Sequence, residues 1–169
     1  MKILVVSDSH GNSGILYKIA DKEKPDMFIH LGDLEDSRQT VETRIGSPKV
    51  PCVFIKGNCD YYSSDDLQER AVFSLKGHRF LCVHGHVQSV NYRLDSLVYT
   101  AAENNCDIVL YGHSHIPKDE FVDVPFGNKK IHVMNPGSIA IPRGGSDRSY
   151  LIINMKDDGA YEVEIKTVS

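Results

Sequence analysis

Tryptophan is absent from this 169-residue chain, and cysteine is held to four residues. Cys52, Cys59, Cys82 and Cys106 form no Cys-x-x-Cys pair, which excludes the metal and redox motifs built on that spacing. Three of them sit in or beside apolar runs, so buried free thiols are expected rather than a disulfide framework. No apolar stretch approaches the roughly 18 residues of a membrane span. The opening run Met1 to Val6 meets the polar Ser7-Asp8-Ser9-His10 too early for a signal peptide. A soluble, cytoplasmic protein with no membrane contact is the expectation. Positive charge is also scarce: 19 Lys and Arg stand against 23 Asp and Glu, a net charge of −4, and this excludes a broad electrostatic grip on DNA or RNA. Repeats, charge tracts and low-complexity segments are missing too. What remains is ordinary globular composition, 41% hydrophobic and 25% charged. The length suits a single domain over residues 1–169 that buries its core without staples. Against these deficits stands one abundance, eight histidines.

The first half alternates short apolar runs with amphipathic segments. Ile3 to Val6, Met27 to Leu31 and Val53 to Ile55 are rich in β-branched residues and read as strands buried on both faces. Between the first two, Ile15, Leu16, Ile19 and Ala20 recur at helical spacing, and Pro25 closes the helix. That order implies right-handed crossovers and a largely parallel sheet. Later, Ala71 to Leu75 and Arg79 to Val83 flank a Lys76-Gly77 turn as a hairpin. Val90 to Ala102 carries the apolar face of a helix, and Ile108 to Tyr111 is a further buried strand. From Glu120 onward the pattern is strand and turn: Phe121 to Val124, Lys130 to Met134, Ser149 to Ile153 and Tyr161 to Ile165, with turns at Gly127-Asn128, Gly144-Gly145 and Asp158-Gly159. Two sheets stacked face to face with helices outside would bury all these runs.

Five of the strands end in the same kind of residue. They lead into Asp8 and His10, Gly32-Asp33, Gly57-Asn58, His84-Gly85-His86, and Gly112-His113-Ser114-His115. Ligands of open α/β sheets bind beyond the carboxyl ends of the strands, so these groups converge on one edge. Asp, Asn and His suit Mn²⁺, Zn²⁺, Fe or Ni²⁺. Asp8-x-His10 and His113-x-His115 would each aim two side chains one way if the segments were extended. One ion needs only three or four protein ligands, so this many candidates suggest two. Not every histidine belongs. His30 lies inside an apolar run and reads as a satisfied core residue; His78, in the hairpin turn, and His132, in a late strand, read as structural. His86 either faces substrate or supports a ligand from behind.

Taken together, Asp8-x-His10, Gly32-Asp33, Gly57-Asn58-Cys59-Asp60, His84-Gly85-His86 and Gly112-His113-Ser114-His115, followed by Asn135-Pro136-Gly137-Ser138, resemble the calcineurin-like metallophosphoesterase superfamily. The short chain and the Asn-Cys-Asp block look like its small prokaryotic phosphodiesterase branch, which also resembles a eukaryotic retromer subunit that works as a scaffold. The resemblance implies an α/β fold, a four-layer α/β/β/α sandwich of two stacked mixed sheets flanked by helices. It implies one metal on Asp8, His10 and His115, a second on Asn58, His84 and His113, and Asp33 bridging them. Manganese is the first expectation, with zinc, nickel or iron as alternatives. Two such ions clamp the attacking and leaving oxygens of an in-line displacement. Set against two aspartates and a hydroxide, they leave roughly one positive charge to attract a small phosphodiester or nucleotide-type substrate. Asn58 and His86 are the candidate substrate contacts, and His86 the candidate catalytic residue. The alternatives are a scaffold, or a phosphomonoesterase or nucleotide pyrophosphatase using the same site; a homodimer is left open. One departure matters: Cys59 stands where many family members carry a histidine thought to protonate the leaving group. As a small packed residue it would be a poor acid. Tyr61-Tyr62 is a weak candidate for a stacking platform.

Overall fold

The computed structural model describes residues 1–62, 67–125 and 129–168. Among the described residues, ten strands form two five-stranded mixed sheets, accompanied by three α-helices. In the first, β1 (Lys2–Val6), β2 (Met27–His30) and β3 (Cys52–Phe54) run parallel, β9 (Ser149–Met155) pairs antiparallel with β1, and β10 (Tyr161–Thr167) pairs antiparallel with β9. In the second, β5 (His78–Val83), β6 (Ile108–Tyr111) and β8 (Lys130–Asn135) run parallel, with β4 (Arg70–Leu75) and β7 (Lys118–Asp123) antiparallel at the two edges. Each sheet therefore holds three parallel strands side by side.

Alternation along the strands builds the layers. Ile3, Val5, Met27 and Ile29 meet Phe80, Cys82, Ile108 and Leu110 in a core between the sheets. Leu4, Val6 and Phe28 face the other way, onto α1 (Ser13–Glu23) and α2 (Arg38–Ile45). Leu81, Val83, Val109 and Val133 bury against α3 (Asp95–Glu103). The result is the four-layer α/β/β/α sandwich that the family resemblance implied and the apolar runs allowed. Among the described residues, no helix is long and apolar enough to cross a membrane.

Several elements differ from the sequence reading. α2 has no apolar stripe, since Val41 is its one buried residue, and it forms on its ends instead. Ser37 accepts a bond from the Thr40 N–H, and Gly46 closes the helix in the left-handed region. α3 begins at Asp95 rather than near Val90; Val90 is buried, but the chain around it is a turn with Ser89 at φ 55°. His78 is the first residue of β5, not part of the turn, and bonds both Asp107 and the Gly159 carbonyl. His132 bonds Asp119 and Tyr161, a structural role as expected. The turn at Gly127-Asn128 lies outside the described residues. All four cysteines are free, but only Cys82 and Cys106 are buried.

His30 is the satisfied core histidine. Its Nδ1 accepts from the Gly32 N–H (3.2 Å), Nε2–H donates to Ser9 Oγ (2.9 Å), and Ser9 in turn donates to the Leu34 carbonyl (3.2 Å). That chain of bonds fits only the neutral ring, and full burial pushes its pKa down to about 4. An unfolded histidine titrates near 6.5, so between these values the unfolded chain binds the extra proton. His30 therefore contributes stability that is complete above about pH 6.5 and is lost as the pH falls toward 4. In urea unfolding of metal-free protein between pH 4.5 and 6, His30→Leu should flatten the rise of stability with pH by up to about 1.4 kcal/mol per unit, whatever its absolute loss.

Candidate metal centre

The carboxyl ends of all six parallel strands point to one edge of the sandwich. β1 delivers Asp8 and His10, β2 delivers Asp33, β3 delivers Asn58, β5 delivers His84 and His86, and β6 delivers His113 and His115. The loops must nearly touch, and glycine lets them. A methyl on Gly57 would sit 2.1 Å from Asp33 Oδ1, and one on Gly112 would sit 2.0 Å from Ser7 Oγ.

Ligand atoms of Asp8, His10, Asp33 and His115 lie within 4.8 Å of one another. Beside them, His84 Nε2 is 3.1 Å from Asn58 Oδ1 and 3.5 Å from Asp33 Oδ2, and the His84 and His113 rings pack edge to face at 5.1 Å. Asp33 Oδ2 is also 3.9 Å from His10 Nε2, so this one oxygen stands between the two groups. Asp33 Oδ1 is occupied by the Cys59 N–H (2.7 Å).

The i,i+2 pairs converge by a different route from the one expected. Asp8 (φ 55°), His10 (44°), Asp33 (54°), His113 (66°) and His115 (58°) all occupy the left-handed region instead of an extended chain. Each such residue costs strain that its surroundings must hold, a cost typical of functional sites. As a result His113 turns toward His84 while His115 turns toward Asp8.

Three histidines have their orientation fixed from behind. His10 Nδ1 bonds Glu35 Oε1 (2.6 Å), His84 Nδ1 the Leu31 carbonyl (2.7 Å), and His115 Nδ1 the Ile141 carbonyl (2.5 Å). In each, Nδ1–H is the donor and Nε2 is left with its lone pair aimed inward. Those lone pairs confront more lone pairs, for His115 Nε2 is 3.1 Å from Asp8 Oδ1. Asp8 Oδ1 and His10 Nε2 are buried with no hydrogen-bond partner. A cation relieves that conflict. The donor set of nitrogen and hard oxygen therefore fits a divalent metal.

Electrostatics agree. Burial opposes charge on His84, yet the Asp33 hydrogen bond and the charges of Asp8 and Asp33 outweigh it and raise its pKa; His115 is raised in the same way by Asp8. Asp8 and Asp33 are held below the usual carboxylate range despite burial, by His115 and His84 and by His84 respectively. His113 and His86 shift down, through burial and the charge on His84. His86 stands at the margin, half-buried, 5.4 Å from the His84 ring, with Nδ1 unpartnered. Cys59 is exposed and not packed, which corrects the expectation of a small buried residue. Partial burial and the Asp33 and Glu35 carboxylates push its thiol up to about 12. Tyr61 is 80% exposed; the side chain of Tyr62 lies outside the described ones.

The supporting residues were the harder ones to find. Asp60, 2% exposed, accepts from the N–H groups of Asp33 (2.9 Å), Gly57 (2.7 Å) and Glu35 (2.9 Å) and so locks two site loops together. Asn135 Nδ2 donates to the Gly112 carbonyl (3.0 Å), and Ser138 Oγ to the Asp8 carbonyl (2.8 Å). Asn91 Nδ2 donates to His113 Nε2 at 3.0 Å. Asp60, Asn135 and Ser138 stood inside recognisable motif blocks; Glu35 and Asn91 carried no signal at all.

A strained cluster of Asp, Asn and His at the joined ends of two sheets makes a site of the metalloprotein class. The profile of the calcineurin-like phosphoesterase superfamily domain matches residues 1–158, and the chain belongs to that metal-dependent family. It is 33% identical over 162 residues to the probable metallophosphoesterase YsnB of Bacillus subtilis, spanning 95% of this chain and 88% of that one. It is 25% identical over 170 residues to the phosphodiesterase YfcE of Escherichia coli, spanning 89% and 85%. A predicted phosphoesterase from Streptococcus pneumoniae TIGR4 shares the fold with a TM-score of 0.80 at 31% identity, covering 98% of this chain and 88% of that one.

Asp60→Asn keeps the shape of that side chain but halves its acceptor oxygens. It should cost about 1–3 kcal/mol in urea unfolding and weaken metal retention roughly 10- to 100-fold in competition with a chelator.

Proposed function

We propose that this protein is a phosphodiesterase working with two divalent metal ions, manganese first. The observation that carries the reading is Asp33 Oδ2, placed between His10 Nε2 (3.9 Å) and His84 Nε2 (3.5 Å). Asp8, His10 and His115 would hold one ion, Asn58, His84 and His113 the other, with Asp33 shared. When bound, such a pair supplies Lewis acidity and an acidified water for in-line displacement at phosphorus.

The chain's own residues do the rest. Glu35 and the carbonyls of Leu31 and Ile141 keep three imidazoles in the tautomer that ligates. Asp8 and Asp33 stay ionised across the physiological range because the neighbouring histidines stabilise their charge. Asn58 and His86, both half-buried beside His84, are the candidate substrate contacts. Cys59 keeps its proton, and sulfur is a weak hydrogen-bond donor, so little help reaches a departing alkoxide from that position. Esters with good leaving groups suit such a site. The phosphodiesterase named among the relatives supports the diester reading, and the filled ligand positions weigh against a scaffold that has shed its chemistry.

Hydrolysis of a bis-aryl phosphate should disappear in chelator and return with Mn²⁺. Asp33→Asn should lower the retention of both ions after dialysis, whereas Asn58→Ala should affect mainly one; two ions retained by Asp33→Asn would sink the bridge. Cys59→His should raise kcat/KM for alkyl esters proportionally more than for aryl esters at equal metal content, by up to the roughly 10²-fold that a placed acid can bring. A wild type that already turns over alkyl monoesters as fast as aryl diesters would mean that another acid is in place.

A further inference from the structure

The loop after Ser138 comes back to His115: the Ile141 carbonyl takes the His115 Nδ1–H, and the Arg143 N–H donates to the His115 carbonyl (3.1 Å). Arg143 is therefore anchored to a metal-centre histidine through its backbone, while its side chain is exposed. Among the described residues its guanidinium has no hydrogen bond or ion pair, unlike Arg38, Arg44 and Arg79, which are tied to Glu42, Asp21 and the Asn104 carbonyl. It lies near enough to His115 for its charge to be felt there. The loop that carries it is fixed. Ser138 Oγ accepts from the Ala140 and Ile141 N–H groups, and Ser146 Oγ donates to the Arg143 carbonyl (2.7 Å).

We propose that Arg143 is a substrate-binding residue that grips a non-bridging oxygen of the phosphate on the His115 side of the site. The inference rests on the phosphodiesterase reading above and adds a contact to its substrate. A planar guanidinium presents paired donors that match a phosphate, and a partner-free one gives up no existing bond to do so.

Arg143→Ala keeps the N–H that holds His115, so the metal content per chain should stay at the wild-type value. In Mn²⁺-loaded protein the KM for a bis-aryl phosphate should rise roughly 10- to 100-fold with kcat changed far less, and Arg143→Lys should recover part of the loss. Inorganic phosphate, titrated calorimetrically into the same metal-loaded proteins, should bind Arg143→Ala more weakly by a similar factor. An unchanged KM and an unchanged phosphate affinity would overturn the proposal, as would metal loss in Arg143→Ala, which would mean that the residue acts through His115. If wild type shows no metal-dependent hydrolysis, the phosphodiesterase reading falls by itself. The phosphate titration then decides Arg143 separately, with equal affinity in wild type and variant counting against it.

Discussion

The site depends on a meeting between two sheets that share no hydrogen-bonded strand. Asp8 follows β1 of one sheet and His113 follows β6 of the other, 105 residues later, yet the Asp8 carboxylate accepts the His113 N–H at 3.1 Å. Gly112 makes that approach possible, because any side chain there would occupy the space of Ser7. Everything else follows from this seam. The core between the sheets sets their spacing, the outer helices hold each sheet flat against it, and the six parallel strand ends are left to share one edge.

Building such an edge is expensive. Buried carboxylates and imidazoles are gathered with their lone pairs opposed, in backbone conformations that non-glycine residues disfavour. The offsets are local and numerous: Asp60 satisfies three N–H groups, Asn135 and Ser138 tie carbonyls on both sides of the seam, and acceptors behind His10, His84 and His115 orient the rings. The carboxylates of Asp8 and Asp33 favour a proton on His84 and His115, which raises the pKa values of these histidines and lowers those of the carboxylates. Metal and proton compete for the same lone pairs.

Most of the fold was legible because buried strands announce themselves. Ile3 to Val6, Phe28 and Ile29, and Ile108 to Tyr111 are apolar on both faces, as only a strand covered on both sides needs to be. The site was legible for a related reason: polar residues placed directly after such runs must lie at the sheet's edge. What stayed hidden was whatever depends on the path of the chain between runs. α2 is stabilised by its caps rather than by an apolar face, and the start of α3 was masked by Val90, which packs from a turn as well as it would from a helix. Glu35 and Asn91 act only because the folded loops bring them to His10 and His113, and neither has a sequence spacing that says so. Cys59 was misjudged as packed because a free cysteine is among the residues most often buried, whereas the chain turns it outward.

The left-handed backbone at Asp8, His10, Asp33, His113 and His115 also bears on how such a site ages. Of the residues that carry a side chain, Asp, Asn and His tolerate that conformation best, and glycine adopts it freely. The geometry that aims the ligands thus filters the substitutions that can replace them. In a descendant freed from the need for metal, these positions would drift first toward asparagine and glycine, which relieve strain or leave it unchanged. Alanine and the β-branched residues would be slow to appear. An abandoned centre of this type would keep the outline of its loops after losing its chemistry, and a return of function would need side chains restored on a backbone that had never moved.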